Sequence, residues 1–254
     1  MESLPDWIAR HALLIWAVVL ILALIVGDLC CRGALRRRVA AGHRDHPALQ
    51  PRTAAILLVL FGASFVLLTW AVWAHTALTG FDAALAQALH DRLSHGVLRV
   101  VAPVTNIGKP ALLMVFGAVV ALWLAVKRNW PLLVPWCVAL GGTAVCGEVV
   151  KHAVKRVRPF DGHAFMVDTG YSFPSGHAMM STVFFGMLAY LLLRQPRHHR
   201  AIVAIAVALV TIVSISRVVL QAHYFSDVLA ACILGAFWLV VGMALAERLR
   251  RNAR

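Results

Sequence analysis

Residues 171–180 read YSFPSGHAMM: a turn closed by Pro174 runs into an apolar segment, with Ser175, Gly176 and His177 at the junction. Downstream, about 178–193 carries no charge, and six other windows of similar length are predominantly apolar with at most one charged residue each, at about 12–31, 54–74, 103–126, 132–150, 201–220 and 227–246. Hydrophobic residues make up 61% of the 254, charged residues only 14%, and mean hydropathy is +0.80. An ordinary soluble domain is about half apolar and a quarter charged. The chain is therefore expected to be an all-α integral membrane protein whose fifth span opens at this polar junction.

Asn106, Lys109 and Pro110 interrupt the start of the third window, so that span is expected to begin near Ala111 after a partly buried turn. The first window is longer than a signal-peptide core, and Arg32, Arg36, Arg37 and Arg38 follow it as a stop-transfer flank. It is read as a retained helix. Between the second and third spans, Phe81, Leu85, Leu89 and Leu93 recur every fourth residue, which predicts an interfacial helix over 80–96. Its expected role is to cover the bundle; guiding a lipid is a second option.

The formal charge of +13 would suit a nucleic-acid binder were it not so unevenly placed. The loops after spans 1, 3 and 5 and the tail collect Arg32, Arg36, Arg37, Arg38, Arg44, Arg52, Lys127, Arg128, Arg194, Arg197, Arg200, Arg248, Arg250, Arg251 and Arg254. These are 15 of the 24 Lys and Arg residues. The positive-inside rule puts those loops and the carboxyl terminus in the cytoplasm and the amino terminus outside. Topology and anionic headgroups account for the excess charge, and no nucleic-acid partner is expected.

Five of the nine remaining cations sit at or near the outer ends of spans 4 and 6, where that rule disfavours them. Lys151, Lys155, Arg156 and Arg158 follow span 4 and Arg217 ends span 6, all on the outer side. Taken alone, the basic run is a snorkelling flank for lipid headgroups. If the helix of span 4 continues to Pro159, Lys151, Lys155 and Arg158 share a face while Arg156 points elsewhere. Such a stripe suits an anion with several oxygens, such as phosphate. Opposite it, Ser175 is a suitable N-cap and Gly176 opens a helix whose unpaired N–H groups and dipole favour an anion. His177, in the first turn, can donate a proton to a leaving oxygen. Beyond Arg217, His223 and Asp227 are four residues apart; a carboxylate at one imidazole nitrogen leaves the other with its lone pair outward, as a nucleophile requires. A Pro-Ser-Gly-His turn or a His-Asp pair has a plain structural explanation when isolated. Three such clusters on one membrane side do not.

Lys151 with six residues to Arg158-Pro159, then Pro174-Ser175-Gly176-His177, then Ser216-Arg217 with five residues to His223 and three more to Asp227, resemble the three-part signature of the type 2 phosphatidic acid phosphatase superfamily. The motifs lie within about 148–230, and the resemblance implies a six-helix phosphatase core over 54–254. An extra transmembrane helix and basic cytoplasmic loop over 1–53 lie outside it. The resemblance further implies a metal-independent phosphatase without cofactor, in which His223 attacks phosphorus, Asp227 orients it and His177 protonates the leaving oxygen. Lys151, Arg158, Ser175, Gly176 and Arg217 would hold the phosphate. Lys155 and Arg156 are extra to the signature and are expected to serve as supporting or headgroup contacts.

Glu148, one turn before Lys151, is expected to pair with it. His152, Asp161, His163, Asp168 and Tyr171 have open roles in the loop. Cys30, Cys31, Cys137, Cys146 and Cys232 lie in or beside spans without metal-ligand spacing and are expected to be apolar fillers. A site at headgroup level implies an amphiphilic lipid phosphate. In similar families this is undecaprenyl pyrophosphate, phosphatidylglycerol phosphate, phosphatidic acid or a lipid A phosphate, and the first is favoured here. The expected setting is the bacterial cytoplasmic membrane, many times crossed, with the site facing the periplasm or exterior and the oligomeric state open. A lipid phosphotransferase would use the same residues. A transporter would be expected to carry charges in mid-span or broken helices, and these polar residues sit at span ends.

Overall fold

The computed structural model describes residues 3–40, 49–160, 170–193 and 198–252, without the side chains of residues 35 and 37–40. Asp161, His163 and Asp168 lie outside the described residues. Ten α-helices follow one another: α1 (Leu4–Arg10), α2 (Ala12–Ala40), α3 (Pro51–Trp73), α4 (Ala77–Arg92), α5 (His95–Thr105), α6 (Pro110–Val126), α7 (Trp130–Val154), α8 (Gly176–Leu192), α9 (His199–Val219) and α10 (Phe225–Asn252). The fold is all-helical, with no strand among the described residues.

Helices dominate because the backbone of a span must satisfy its own hydrogen bonds in lipid. Six apolar stretches are long enough to cross a membrane, and the seventh expected span, α8, has only 17 residues. It is the innermost helix: ten of those 17 residues are buried, packed against α6, α7, α9 and α10. The apolar stretch of residues 95–126 is not one straight rod. A 3₁₀ turn at Asn106–Gly108 separates α5 from α6, so the third span starts at Pro110, as the interruption in the sequence indicates.

The main core gathers Leu113 and Leu124 of α6, Trp136 and Leu140 of α7, Phe184, Met187 and Tyr190 of α8 and Ala246 of α10. Trp136 Nε1–H donates to the Gly117 carbonyl at 2.9 Å, so its buried indole carries no unmet donor. Lipid supplies no hydrophobic drive between spans, so close packing must hold them together. At Gly235 a Cβ would lie 2.8 Å from the Met179 carbonyl oxygen; only glycine lets α10 come that near α8. Outward faces stay apolar, as with Leu22, Leu67, Val115 and Leu122.

α4 lies across the site end of the bundle. Leu85, Ala88 and Leu89 of α4 pack with Ala9 and Ala12 of the first two helices, and α2 lies along α9. At the other end Arg200 Nε donates to Asp28 at 2.5 Å, and Arg32 pairs with the same carboxylate at 2.7 Å.

Candidate active site

α7 and α9 end, and α8 and α10 begin, at the same end of the bundle, which brings the three polar clusters together. The expected stripe on α7 does not form. The helix stops at Val154, five residues before Pro159, because Lys155 takes the left-handed conformation with φ 51°. Lys151 therefore stays on the last helical turn, while Arg158 lies in the non-helical chain beyond it. Lys151 Nζ pairs with Glu148 at 3.0 Å, as expected. A Cβ at position 176 would lie 3.7 Å from that ammonium, so the open backbone of the α8 N-terminus faces Lys151 directly.

Ser175 is the residue before α8, but its hydroxyl makes no capping bond. It is fully buried, and its Oγ has no hydrogen-bond partner among the described residues. A buried hydroxyl is costly when unmatched, so this position is suited to an incoming polar group. His177 stands buried in the first turn of α8. Arg217 is fully buried at the end of α9, and its Nη1 donates to Thr105 Oγ1 at 3.2 Å.

His223 lies in the turn between α9 and α10, not on a helical face shared with Asp227. Its Nδ1 is 2.7 Å from the Ser172 carbonyl and 3.7 Å from Asp227 Oδ2. A carbonyl only accepts, so Nδ1 bears the proton and Nε2 the lone pair. Nε2 in turn lies 3.2 Å from Arg158 Nη1. The sequence pattern had Asp227 setting the tautomer; the Ser172 carbonyl does so instead. Asp227 folds back over its own helix start, accepting from Tyr224 N–H at 2.9 Å in the manner of a capping box. It also accepts from the Ser172 hydroxyl at 2.5 Å and from Arg156 Nη1 at 2.6 Å. Its charge remains close to the imidazole without a direct hydrogen bond. Burial pushes the His223 imidazole down to about 4, helped by Arg217 and Arg158 and opposed by Asp227.

Two residues of this site, Ser172 and Asp82, were not foreseen, and Arg156 takes up the supporting role expected of it. Ser172 holds both His223 and Asp227. Arg156, expected as a supporting or headgroup contact, reaches Asp227 at 2.6 Å and also Asp82 of α4 at 2.8 Å. Asp82 was hidden in the apolar face of the expected interfacial helix, yet with Leu85, Ala86 and Leu89 it recurs at helical spacing on the buried side. A carboxylate inside an apolar stripe was the available signal. Lys155 is exposed beside Val72, Trp73, His75 and Tyr224, which line a shallow cavity of ≈ 430 Å³. Tyr171 packs edge-on against His152 at 5.8 Å. Among the described residues, no group of three or more His, Cys, Asp or Glu side chains is arranged to hold a metal ion.

Residues 132–251 match the family model described as the PAP2 superfamily. Phosphatidylglycerophosphatase B of Bacillus subtilis (strain 168) is 29% identical over 198 residues, covering 74% of this chain and 93% of its own. The undecaprenyl-diphosphatase of Sulfolobus acidocaldarius is 32% identical over 47% of this chain and 57% of its own. The lipid A 1-phosphatase of Rhizobium johnstonii is 33% identical over 38% and 40%. The crystal structure of a transmembrane PAP2-type phosphatidylglycerolphosphate phosphatase from Bacillus subtilis superposes with a TM-score of 0.66 at 25% identity, over 78% of this chain and 97% of that one. With its membrane-spanning bundle, its three clusters at one end and these relatives, the chain carries over residues 132–251 a match to the PAP2 superfamily and resembles its membrane lipid phosphatases.

Proposed function

We propose that the protein hydrolyses a lipid phosphate at the membrane surface through a phosphohistidine on His223. The observation that carries this is the His223 imidazole, with Nδ1 engaged by the Ser172 carbonyl and Nε2 facing Arg158 at 3.2 Å. Nε2 attacks phosphorus as the bond to the leaving oxygen breaks, and His177 protonates that oxygen. A water then attacks the phosphohistidine, giving up a proton to His177, and inorganic phosphate leaves with the His223 lone pair restored. Asp227, 3.7 Å from Nδ1, offsets the positive charge of the phosphorylated ring. Lys151, Arg158 and Arg217, with the Ser175 hydroxyl and the Gly176 N–H, receive the phosphate oxygens. These cations supply the charge stabilisation on which phosphoryl transfer depends, without a metal or other cofactor. The excess of basic residues at the other end of the bundle supports an outward-facing site in a bacterial cytoplasmic membrane.

Undecaprenyl pyrophosphate is the substrate proposed first, because a diphosphate offers more oxygens to a site this rich in cations. Phosphatidylglycerol phosphate is the second, on the strength of the alignment with phosphatidylglycerophosphatase B over 74% of the chain. Both, with phosphatidic acid, are to be presented to purified protein and to His223→Ala in excess chelator. The expected outcome is free phosphate from one lipid, absent in the variant. Phosphate found on an acceptor lipid would instead mark a phosphotransferase, and activity restored only by magnesium would refute the metal-free mechanism.

A further inference from the structure

Asp82 is 1% exposed on α4, a helix outside the three motifs. Its Oδ2 accepts from Arg156 Nη2 at 2.8 Å and from the Ser226 hydroxyl, and its Oδ1 accepts from Ser226 N–H at 3.1 Å. Arg156 Nη1 donates to Asp227 Oδ1 at 2.6 Å and to Ser226 Oγ at 2.8 Å. The guanidinium lies 4.1 Å from the centre of the Tyr224 ring. One cation thus joins two buried carboxylates, one on α4 and one beside His223. The planar fork of arginine meets three acceptors from two nitrogens, spanning the two carboxylates in a way that the single nitrogen of a lysine does not. Arg156 also has its carbonyl bound by Ser172 N–H at 2.8 Å, so the same residue steadies the strand of chain that holds the imidazole.

We propose that Arg156, anchored by Asp82, is a positioning residue for the phosphotransfer reaction, fixing the Asp227 carboxylate beside His223 and making α4 part of the active-site frame. This rests on the roles given to His223 and Asp227 above. Arg156 is engaged by these two carboxylates and Ser226 Oγ, whereas Lys151, Arg158 and Arg217 are the cations to which the proposed function gives the phosphate oxygens. Loss of Arg156 leaves two buried carboxylates without their shared cation. Asp227 then leaves its place or takes a proton, and the phosphorylated ring loses its counter-charge. Substrate binding is untouched.

The experiment measures phosphate release per folded molecule for wild type, Arg156→Met, Arg156→Lys, Asp82→Asn, the double variant Asp82→Asn/Arg156→Met, and His223→Ala, each checked by its melting temperature in detergent. Arg156→Met is expected to lower kcat about 30-fold or more with KM within roughly threefold, the pattern of a lost transition-state interaction. Arg156→Lys recovers part of the loss. Asp82→Asn lowers kcat by about fivefold, and the double variant falls no further than Arg156→Met because Asp82 acts through Arg156. If Arg156→Met does not fold, Arg156→Lys and Asp82→Asn decide the matter. Wild-type kcat in the folded variants, even with a lower melting temperature, overturns the proposal. So does a rise in KM at constant kcat, which would make Arg156 a phosphate ligand. Turnover retained in His223→Ala overturns both this proposal and the function beneath it. A dead His223→Ala beside Arg156 and Asp82 variants of normal rate overturns this proposal alone.

Discussion

His223 shows how much a single carbonyl can decide. With Nδ1 held by Ser172 and the ring buried among cations, the imidazole is neutral down to about 4, against about 6.5 for a free histidine. The acid limb of kcat/KM, which reports the free enzyme, is therefore expected well below pH 6. An acid limb near 6.5 that moves in His223 variants would contradict this. Stability has a definite sign too. Between the two values the unfolded chain binds a proton that the folded one does not, so the contribution of this group is complete above about 6.5 and declines as pH falls toward 4. Wild type should lose more melting temperature between pH 7 and pH 5 than His223→Asn, measured in the same detergent. The Ser172 side chain is separable from its carbonyl. Ser172→Ala keeps the carbonyl that orients His223 and removes the hydroxyl that holds Asp227 at 2.5 Å, so kcat should fall by about tenfold, the worth of one buried hydrogen bond to a charge, with the protein still folded.

At the scale of elements, the motifs specify where helices meet. α8 and α10 present their first turns to the proposed phosphate site, and Gly235 lets them approach closely. Gly235→Leu must push against the Met179 backbone oxygen, 2.8 Å from the new Cβ, and overpacking of this kind costs about 1–3 kcal/mol. A melting temperature lower by roughly 5 °C and a loss of turnover are expected. Gly141→Leu on α7, where a Cβ meets nothing within 4 Å, is the control, and equal losses in both would disprove the close-approach explanation. The spans were legible because long apolar windows with at most one charge leave lipid few alternatives, and the three clusters were legible because charge at a span end needs a partner. The end of α7 was not: nothing in the residues 151–158 forbids helix, and the left-handed turn at Lys155 answers to Arg156 reaching Asp82 and Asp227, more than 70 residues away in either direction. Asp82 was overlooked for a related reason. Its neighbours Phe81, Leu85 and Leu89 read as an interfacial face, and only the arrival of α10 turns the aspartate inward.

For the whole molecule, the two ends differ in what they ask of charge. At the site end, cations are engaged with carboxylates and hydrogen-bond acceptors, as Arg156, Arg158 and Arg217 are. At the opposite end, exposed arginines and lysines such as Lys127, Arg128 and Arg251 lie at helix termini. A phosphate site would account for the first set and the cytoplasmic leaflet for the second, so the proposed activity and the proposed orientation rest on the same charge distribution. Ala74, at the end of α3 beside α4, and Lys127, at the end of α6, are both exposed and lie at opposite ends of the bundle. In a background with the five native cysteines replaced, Ala74→Cys should react with a membrane-impermeant maleimide in intact cells. Lys127→Cys should react only after the membrane is opened. Each single change leaves the other basic residues at that end of the bundle in place, so the topology signal persists. The reverse pattern would put the phosphate site in the cytoplasm, and a lipid presented at the inner leaflet would then have to replace the outer-face substrates proposed here.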